Sequence, residues 1–338
     1  MNDRNRKYDV FGVGNALVDI LAQVDDDFIV HQQLNRGSMM LMNADAQAQI
    51  LRHLGMSNLK LASGGSAANT MVAIAQSGGS GFYSGKVTKD SYGEFYRRDM
   101  EAAGIRFEVE MAPEASLPTG TSVILTTPDA ERTMCTHLGI STWLEPDDID
   151  LHKLAQCKIS YIEGYLWDAD KPRSACQKTF EQSRRLNVRT AFTFSDSFLI
   201  DRFADDFQNL VESQCDIVFC NADEAKKFCG NDSLEACAKS IGKTVPLVFL
   251  TNSEKGCLVV ESGIVSKVAG FPVRPIDTVG AGDAFAGGTL FGLTHGFSPT
   301  QSARWGNFLA SRVVSQYGPR LPGSFANEVD SVIGSLTT

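Results

Sequence analysis

The sequence predicts an α/β protein with a doubly wound, mainly parallel sheet that is flanked by helices and carries a small β-rich lid. The first observation behind this prediction is that strand-like and helical segments alternate regularly from residue 159 onward. Such alternation is typical of a parallel sheet covered on both faces. The second observation is that the alternation breaks between residues 107 and 136, where three β-like segments follow one another. These segments predict the lid.

Length and composition favour one large domain. The chain has 338 residues, of which 43% are hydrophobic, so it can bury a sizeable core. The formal net charge is -9, and basic residues such as Arg97 and Arg98 occur at most in pairs. Binding of nucleic acid through a broad cationic face is therefore not expected.

The sequence shows no signal for export or for membrane insertion. Residues 1–7 are polar, and no apolar segment is long enough to cross a membrane. The eight cysteines are scattered without a C-x-x-C pair. Cysteines in this pattern are typical of buried thiols in a reducing compartment. We therefore expect a cytoplasmic protein that contacts no membrane.

The first predicted strand covers residues 8–14, and Asn15 and Asp19 follow it. Polar groups at this place would lie at the carboxyl edge of the sheet, which is the usual ligand edge of open α/β sheets. A turn or capping role for Asp19 is the alternative. A dinucleotide-binding motif is excluded, because Leu17 stands where G-x-G-x-x-G requires its third glycine.

A glycine pair follows the strand predicted over residues 59–62. Gly64 and Gly65 stand where this strand gives way to an apolar helix that carries Asn69. Adjacent glycines expose backbone amides, which can bind hydroxyl or phosphate oxygens. An ordinary strand-to-helix turn explains the same pair equally well.

The lid is predicted from four β-like segments, which cover residues 37–42, 107–111, 121–126 and 132–136. A turn at Pro128 and Asp129 separates the last two. The predicted domain spans residues 1–330, with the lid inserted from about 15–43 and 106–140.

The second half of the chain carries the regular alternation. The predicted strands cover residues 159–163, 188–194, 217–220 and 245–251, followed by a hairpin over 257–268. The predicted helices cover residues 172–186 and 201–211, and two more begin at Gly282 and Pro299. Gly242-Lys243-Thr244 does not predict a P-loop, because Cys237 replaces its first glycine and a helix precedes it.

The turn at residues 280–283 predicts an anion site. Gly280 and Gly282 can adopt backbone angles closed to other residues and leave room for a ligand. The first amides of the following helix lack partners within it, and the helix dipole makes that end partly positive. Asp283 lies at the same place and could take a proton from an attacking hydroxyl. A simple first-turn helix acid is the alternative for Asp283.

The whole run at residues 277–288, D-T-V-G-A-G-D-A-F-A-G-G, resembles the C-terminal signature of the ribokinase-like (PfkB) carbohydrate and nucleoside kinases. The chain also has the early polar strand end, the Gly-Gly turn and the N-x-x-E segment of that family, in the same order. The resemblance spans nearly the whole chain and implies a ribokinase-like fold. Segments 14–19, 128–134 and 318–321 resemble adenosine-kinase-type members.

The resemblance implies a role for each site residue. It implies that Asp283 is the catalytic base. The negative charge that develops would be held by the amides of Gly280, Ala281 and Gly282 and by Arg132 from the lid side. An exposed arginine without such a role is the alternative for Arg132. The residues implied to hold the acceptor are Asn15, Asp19, Gly64, Gly65 and Asn69.

The resemblance also implies a nucleotide site and a metal. The residues implied to contact the nucleotide are Asn221, Thr251, Ser253, Gly256 and Asn307, with Ser253 in place of the usual glycine. Glu224 is implied to organise Mg²⁺ through water, since this ion prefers oxygen ligands and retains several waters. A K⁺ site near Asp277 is a further expectation.

The expected activity is transfer of the γ-phosphoryl group of ATP to a primary hydroxyl of a ribose-containing substrate, with adenosine first. A purine slot could be formed by residues 39–42 with Met134 and Leu138, although Met-rich strands are often ordinary core. The alternatives are a sugar kinase acting on ribose, fructose or another carbohydrate, and a non-catalytic nucleoside-binding protein. The expected partners are ATP and a small nucleoside or sugar, and the expected state is a monomer or homodimer.

Overall fold

The computed structural model describes residues 6–55, 59–129 and 131–334. Most of the polar N-terminal stretch and Ala130 of the 128–134 segment lie outside these ranges. The strands are β1 (Tyr8–Val13), β2 (Leu17–Gln23), β3 (Met39–Leu41), β4 (Lys60–Gly64), β5 (Gly81–Ser84), β6 (Gly120–Thr126), β7 (Arg132–His137), β8 (Cys157–Glu163), β9 (Arg189–Thr193), β10 (Ile217–Asn221), β11 (Leu247–Thr251), β12 (Cys257–Glu261) and β13 (Ile264–Val268).

Helices connect most of these strands. They are α1 (Asp26–His31), α2 (Ala44–Leu54), α3 (Ser66–Gln76), α4 (Ser91–Ala102), α5 (Leu151–Ala155), α6 (Asp170–Leu186), α7 (Ser197–Arg202), α8 (Ala204–Ser213), α9 (Ala222–Cys229), α10 (Leu234–Ile241), α11 (Ala281–Thr294), α12 (Pro299–Val313) and α13 (Val329–Ile333). The single helix predicted over residues 201–211 is therefore wrong in its bounds, since α7 and α8 share that region.

The larger sheet has eight strands in the order β13-β12-β11-β10-β9-β8-β1-β5. Strands β5, β1, β8, β9, β10 and β11 run parallel, and β12 and β13 form an antiparallel hairpin at one edge. The predicted doubly wound, mainly parallel sheet is confirmed. The strand order reverses at β1, which has β5 on one side and β8 on the other.

Both faces of this sheet are buried, and alternate side chains of one strand enter different cores. Val218 of β10 packs with Phe180 of α6 and Phe207 of α8 on one face. Phe219, the next residue, packs with Met71 of α3 and Phe285 of α11 on the other. This alternation follows from the period of two along a strand. It explains why the strands read as continuous apolar runs.

Small residues bring α11 against its neighbouring helices. A Cβ atom at Gly287 would lie 2.5 Å from the carbonyl oxygen of Thr70 in α3. A Cβ atom at Gly288 would lie 3.0 Å from Gly306 in α12. The glycines of the A-F-A-G-G run therefore permit close helix packing, which sets the start of α11 beside the start of α3.

The smaller sheet has five strands in the order β3-β7-β6-β2-β4. Its own core is formed by residues such as Ile20, Ile50 and Val123. Three of the predicted lid segments lie in this sheet as β3, β6 and β7. Strands β2 and β4 also belong to it.

The predicted lid strand over residues 107–111 is wrong. This segment lies between isolated bridges from Arg106 to Phe82 and from Ala112 to Thr88, along the free edge of β5. Phe107 is buried in the core under α3 rather than in the smaller sheet. Packing of this aromatic side chain outweighs the local β propensity of the segment.

The states of the cysteines and the lengths of the helices can be compared with the expectations from composition. All eight cysteines are free thiols, and only Cys229 is not fully buried. Within residues 6–55, 59–129 and 131–334, the helices are all too short or too polar to cross a membrane.

Candidate active site

A cleft of about 700 Å³ opens between the two sheets, at the carboxyl ends of the parallel strands. Its walls include Asn15 after β1, Glu163 at the end of β8, and the paired residues Asn221 and Thr251 at the ends of β10 and β11. Open α/β sheets bind ligands at this edge, where the strand order reverses. The volume is that of a typical small-molecule site.

The start of α11 forms one end of the cleft. Gly280 has φ +78° and lies against Pro319, since a Cβ atom at Gly280 would be 2.6 Å from that residue. Gly282 is different, because a Cβ atom there would meet no protein atom within 4 Å. The space beside Gly282 is therefore open to the cleft. Among the described residues, the Ala281 amide donates to the carbonyl oxygen of Thr278 at 3.3 Å, whereas the Gly282 amide has no such partner and is left for an anion.

Asp283 lies in the first turn of α11 and is oriented by α3. Ser66 Oγ donates to its Oδ1 at 2.6 Å, and Asn69 Nδ2 donates to its Oδ2 at 3.2 Å. Burial raises the pKa of Asp283 to about 6, although these hydrogen bonds favour the ionised form. A carboxylate with this pKa is mostly ionised at neutral pH and is a stronger base than an ordinary aspartate.

Asp19 enters the cleft from β2 of the smaller sheet. It packs against Gly64, where a Cβ atom would lie 2.3 Å from Asp19 Oδ1. Asp19 is 6% exposed, and burial raises its pKa to about 7 against the opposing charges of Arg320 and Arg132. The absent side chain at Gly64 thus makes room for a carboxylate of the protein itself.

Glu163, which was not predicted as a site residue, binds the segment after β1 and the start of α3. Its Oε1 accepts from the amide and side chain of Asn15 at 2.7 and 3.0 Å, and its Oε2 accepts from the amide of Ala67 at 2.7 Å. Gly65 has φ +102°, and a Cβ atom there would lie 2.1 Å from the Asn15 carbonyl oxygen. Burial raises the pKa of Glu163 to about 7. The available signal was an acidic residue at the end of a predicted strand, a place that the polar residues Asn15 and Asn221 also take.

Asn221 and Glu224 begin α9 as a capping box. The amide and side chain of Asn221 donate to Glu224 at 2.9 and 2.8 Å, and the Glu224 amide donates back to Asn221 Oδ1 at 2.9 Å. Both residues line the cleft, together with Thr251. Burial raises the pKa of Glu224 to about 7. The N-x-x-E pattern singled out in the sequence is therefore also a helix start.

The part of the chain that is described contains no cluster of three or more potential protein metal ligands. Glu224 is compatible with a metal held through water, because each of its oxygens accepts from Asn221 and retains a further lone pair.

Arg132 is buried rather than exposed, and its Nη2 pairs with Asp277. Asp277 also accepts from the amides of Val279 at 3.0 Å and Gly318 at 2.8 Å. Arg132 Nε and Nη1 are buried and have no hydrogen-bond partner among the described residues. The arginine thus lies beside the signature turn with two unused donors.

Some predicted site residues do not belong to the wall of the cleft as the described residues form it. Ser253 and Gly256 lie in the turn after β11, with φ +48° and +87°. Asn307 is buried in α12, where its side chain donates to the carbonyl oxygens of Val268 and Ala269. Gly64, Ala281 and Arg132 do not line the cleft either.

The apolar wall of the cleft combines both sheets. Met39 and Leu41 of β3 face the cleft with Met134 and Leu138. Met40 and Met42 instead pack against the core of the smaller sheet, so two of the six residues predicted for the purine slot do not face the cleft. The period of two along β3 explains the division. The rings of Tyr165 and Phe198 also line the cleft, and their centroids are 6.3 Å apart.

Known proteins share this architecture. Residues 37–324 match the model of the pfkB family carbohydrate kinases. Adenosine kinase from Saccharomyces cerevisiae is 30% identical over 334 residues, which cover 92% of this chain and 96% of that protein.

Two solved structures are also similar. Adenosine kinase from Sinorhizobium meliloti has a TM-score of 0.89 and 36% identity, with 96% of this chain and 99% of that chain covered. A probable sugar kinase protein from Rhizobium etli has a TM-score of 0.89 and 33% identity, with 96% and 98% covered. Together with the family match, these likenesses confirm the predicted ribokinase-like fold and kinase activity. The chain belongs to the pfkB family of carbohydrate kinases and is a phosphotransferase that uses a hydroxyl group as acceptor.

Proposed function

We propose that this kinase transfers the γ-phosphoryl group of ATP to the 5′-hydroxyl of adenosine and forms AMP. The observation that carries the proposal is the position of Asp283, a carboxylate with raised pKa at an open helix start. The likeness to adenosine kinases over nearly the whole chain supports the choice of acceptor.

In this proposal Asp283 accepts the proton of the attacking hydroxyl. The hydroxyl oxygen forms a bond to the γ-phosphorus, and the bond from that phosphorus to the bridging oxygen of ADP breaks. The leaving electron pair stays on ADP. Ser66 and Asn69 orient the Asp283 carboxylate for this step, since each donates to a different oxygen.

Backbone amides and Arg132 would stabilise the transferring group. The amides of Gly280, Ala281 and Gly282 lie at the positive end of α11, where a phosphoryl group can approach unhindered beside Gly282. Arg132 has two unused donors and is held near the same turn by Asp277. A buried guanidinium in this place would offset the developing negative charge.

Asn221, Thr251 and Glu224 would face the nucleotide. When bound, Mg²⁺ supplies positive charge to the phosphates. Glu224 would orient water of the metal through its free lone pairs. Contacts of Ser253, Gly256 and Asn307 with the nucleotide stay predictions.

The K⁺ site near Asp277 also stays a prediction. Both Asp277 oxygens already accept hydrogen bonds, and Arg132 pairs with one of them. Among the described contacts, Oδ1 accepts only from the Val279 amide, so it is the Asp277 oxygen that retains a lone pair for such an ion.

The acceptor would lie between Asp19 and the apolar wall. The Asp19 carboxylate can accept from the two vicinal hydroxyls of a ribose, with Asn15 and Asn69 beside it. A purine would then meet Met39, Met134 and the Tyr165 and Phe198 rings. Burying such a base contributes several kcal/mol at about 25 cal/mol per Å² of apolar surface, which a free sugar lacks.

A sugar kinase is the second candidate, because the similar Rhizobium etli structure is described as a probable sugar kinase. The alternative of a non-catalytic nucleoside-binding protein is not supported, because the chain is a phosphotransferase and such a binding protein would need no base at Asp283. Movement of the smaller sheet over the acceptor, which structures with and without acceptor would test, stays a prediction. So do the cytoplasmic location and the monomeric or homodimeric state.

A panel of acceptors tests the proposal. ATP consumption would be measured with adenosine, other nucleosides, ribose, fructose and a sugar phosphate, and we expect the highest kcat/KM with adenosine. The Asp283→Asn variant is the control for contaminating kinases. Faster turnover of any free sugar or sugar phosphate than of every nucleoside would overturn the acceptor and leave the kinase reaction standing.

A further inference from the structure

The segment at residues 318–320 contacts three separate parts of the site. The amide of Gly318 donates to Asp277 at 2.8 Å. Pro319 lies against Gly280, whose Cβ position is 2.6 Å from it. Arg320 extends its side chain away from this turn and toward α3. Consecutive residues of the segment thus brace the turn and reach the helix that orients Asp283.

Arg320 forms a hydrogen-bonded fork between α3 and β4. Its Nε donates to Asn69 Oδ1 at 2.8 Å, and its Nη1 donates to Ser63 Oγ at 2.6 Å. The same Nη1 is 3.3 Å from Asp99 Oδ2, which also accepts from the amide and hydroxyl of Ser63. The side chain of Arg320 is only 13% exposed, and the described wall of the cleft does not include it. Arg320 therefore acts through other residues.

Arg320 determines which way the Asn69 amide points. The Asn69 oxygen accepts from Arg320, and its nitrogen donates to Asp283. A flipped amide would place two N–H groups against the guanidinium and an oxygen against the carboxylate. Both contacts would be repulsive, so the guanidinium permits one orientation.

We propose that Arg320 is a positioning residue for phosphoryl transfer, which holds the Asn69 amide toward Asp283 and keeps the catalytic carboxylate aimed and ionised. The inference rests on the proposed function, because it takes Asp283 as the base. It also gives a physical role to the G-P-R-L segment at residues 318–321, which in the sequence is notable only for its resemblance to adenosine-kinase-type members.

The charges around Asp283 agree with this role. Its titratable neighbours are the carboxyls of Asp19 and Glu163, the phenols of Tyr161 and Tyr165, and Arg320. Arg320 is the cation in this set, and it lowers the pKa of Asp283 against the effect of burial. Without that charge the pKa of Asp283 would rise further.

The test uses Arg320→Met and Arg320→Lys, with Arg6→Met as the matched control. Arg6 is also buried and donates to three backbone carbonyl oxygens far from the cleft, those of Cys157, Leu186 and Asn187. Thermal unfolding, kcat and KM would be measured across pH. In Arg320→Met we expect kcat at pH 7 to fall about tenfold, the scale of one hydrogen bond to a charged group, with the KM for ATP unchanged.

The fall of kcat at low pH, here called the acid limb, is the measurement specific to a role for Arg320 in keeping Asp283 ionised. The base must be ionised, so loss of the cation should move this limb to higher pH in Arg320→Met. Arg320→Lys should leave the acid limb at the wild-type pH, because it keeps the positive charge. Its kcat should still be lower than that of the wild type, because an ammonium group cannot donate to Asn69 and Ser63 with the geometry of a guanidinium. Arg6→Met should lose stability without either change. Arg320→Met with an unmoved limb and wild-type kcat would overturn the proposal. If that variant does not fold, wild-type kcat in Arg320→Lys would overturn it.

Two further measurements separate the steps. A double-mutant cycle with Asn69→Ala should be strongly non-additive, and additive effects would exclude action through Asn69. The ionisation of the Asp283 carboxyl can also be followed by ¹³C NMR, with Asp283→Asn as the assignment control. This titration needs no turnover, so the two claims are tested separately. A wild-type enzyme without kinase activity would refute the proposed function. An unchanged pKa of Asp283 in Arg320→Met would refute the role of Arg320.

Discussion

The two ends of the cleft are built in different ways. The end proposed to hold the transferring phosphoryl group is built from one short stretch, in which Gly280, Gly282 and Asp283 are neighbours in sequence. The end proposed to hold the acceptor takes Asp19 from the smaller sheet, Asn15 from the end of β1 in the larger sheet and Asn69 from a helix. At the first end the amides and the carboxylate come from neighbouring residues, whereas at the second end the side chains come from distant segments. A local sequence pattern therefore indicates the reaction more directly than the acceptor.

The largest effect is expected at the phosphoryl end, from Asp283→Asn. The amide keeps the shape of the side chain but cannot accept the proton, so we expect kcat to fall about a hundredfold or more. The KM for the acceptor should change little. In the wild type, kcat should fall as pH drops through about 6, because protonation disables the base.

A matched control is Asp45→Asn, which also changes an acid in the first turn of a helix. It should leave kcat at the wild-type value. Near-normal turnover in Asp283→Asn would remove Asp283 as the base and with it the contrast between the two ends.

The acceptor end should respond differently, as Asp19→Asn can show. Loss of charge-assisted hydrogen bonds to the acceptor should lower kcat/KM for the nucleoside by about tenfold to a hundredfold, with the KM for ATP unchanged. A KM for the acceptor that stays at the wild-type value would place the acceptor elsewhere.

Asp19→Asn should lower activity but raise the stability of the fold. Burial raises the pKa of Asp19 to about 7 from 3.8, so ionised Asp19 destabilises the fold as pH rises from about 4 through 7. Asp19→Asn should therefore raise Tm at pH 8 relative to the wild type, and less so at pH 5. Equal shifts at both pH values would show that burial of charge at Asp19 costs nothing.

The effect expected at the proposed nucleotide site is of intermediate size. Glu224→Gln should raise the Mg²⁺ concentration for half-maximal rate by about tenfold, the scale of outer-shell changes at metal sites. Glutamine also satisfies a capping box, so α9 should be retained. Asp223→Asn changes the exposed neighbour and should leave the Mg²⁺ titration unaltered. Identical titrations in both variants would remove Glu224 from the metal site.

Predictions from the sequence succeeded where the signal was local and regular. The alternation after residue 159 gave the parallel sheet, and the polar residues at strand ends lie at one cleft. They failed where distant contacts decide. Residues 107–111 have a β-like sequence, but Phe107 packs into the core under α3. Met40 and Met42 turn away from the cleft because adjacent residues of a strand face opposite sides.

The residues that sequence reasoning missed act through long-range hydrogen bonds. Glu163 contacts Asn15, which is 148 residues away, and Arg320 contacts Asn69, which is 251 residues away. No periodicity or spacing in a single sequence relates such pairs. Arg132 shows the same limit, because its burial against Asp277 follows from how the smaller sheet meets the larger one.

The smallest effect is expected from Ser253→Gly, in the turn after β11. Ser253 has φ +48°, a left-handed conformation that costs a non-glycine residue about 1 kcal/mol or more. Glycine relieves this strain but adds entropy to the unfolded chain, so the net gain in free energy of unfolding should be about 0.5 kcal/mol. Ser262 is the matched control, because it has the same φ in the β12–β13 turn. Ser262→Gly should give a similar gain. If residue 253 faces the nucleotide, Ser253→Gly should also change the KM for ATP, by less than about threefold, the scale of a weak contact. An unchanged KM for ATP in both variants, with equal gains in stability, would make Ser253 a backbone feature only and would remove it from the predicted nucleotide site.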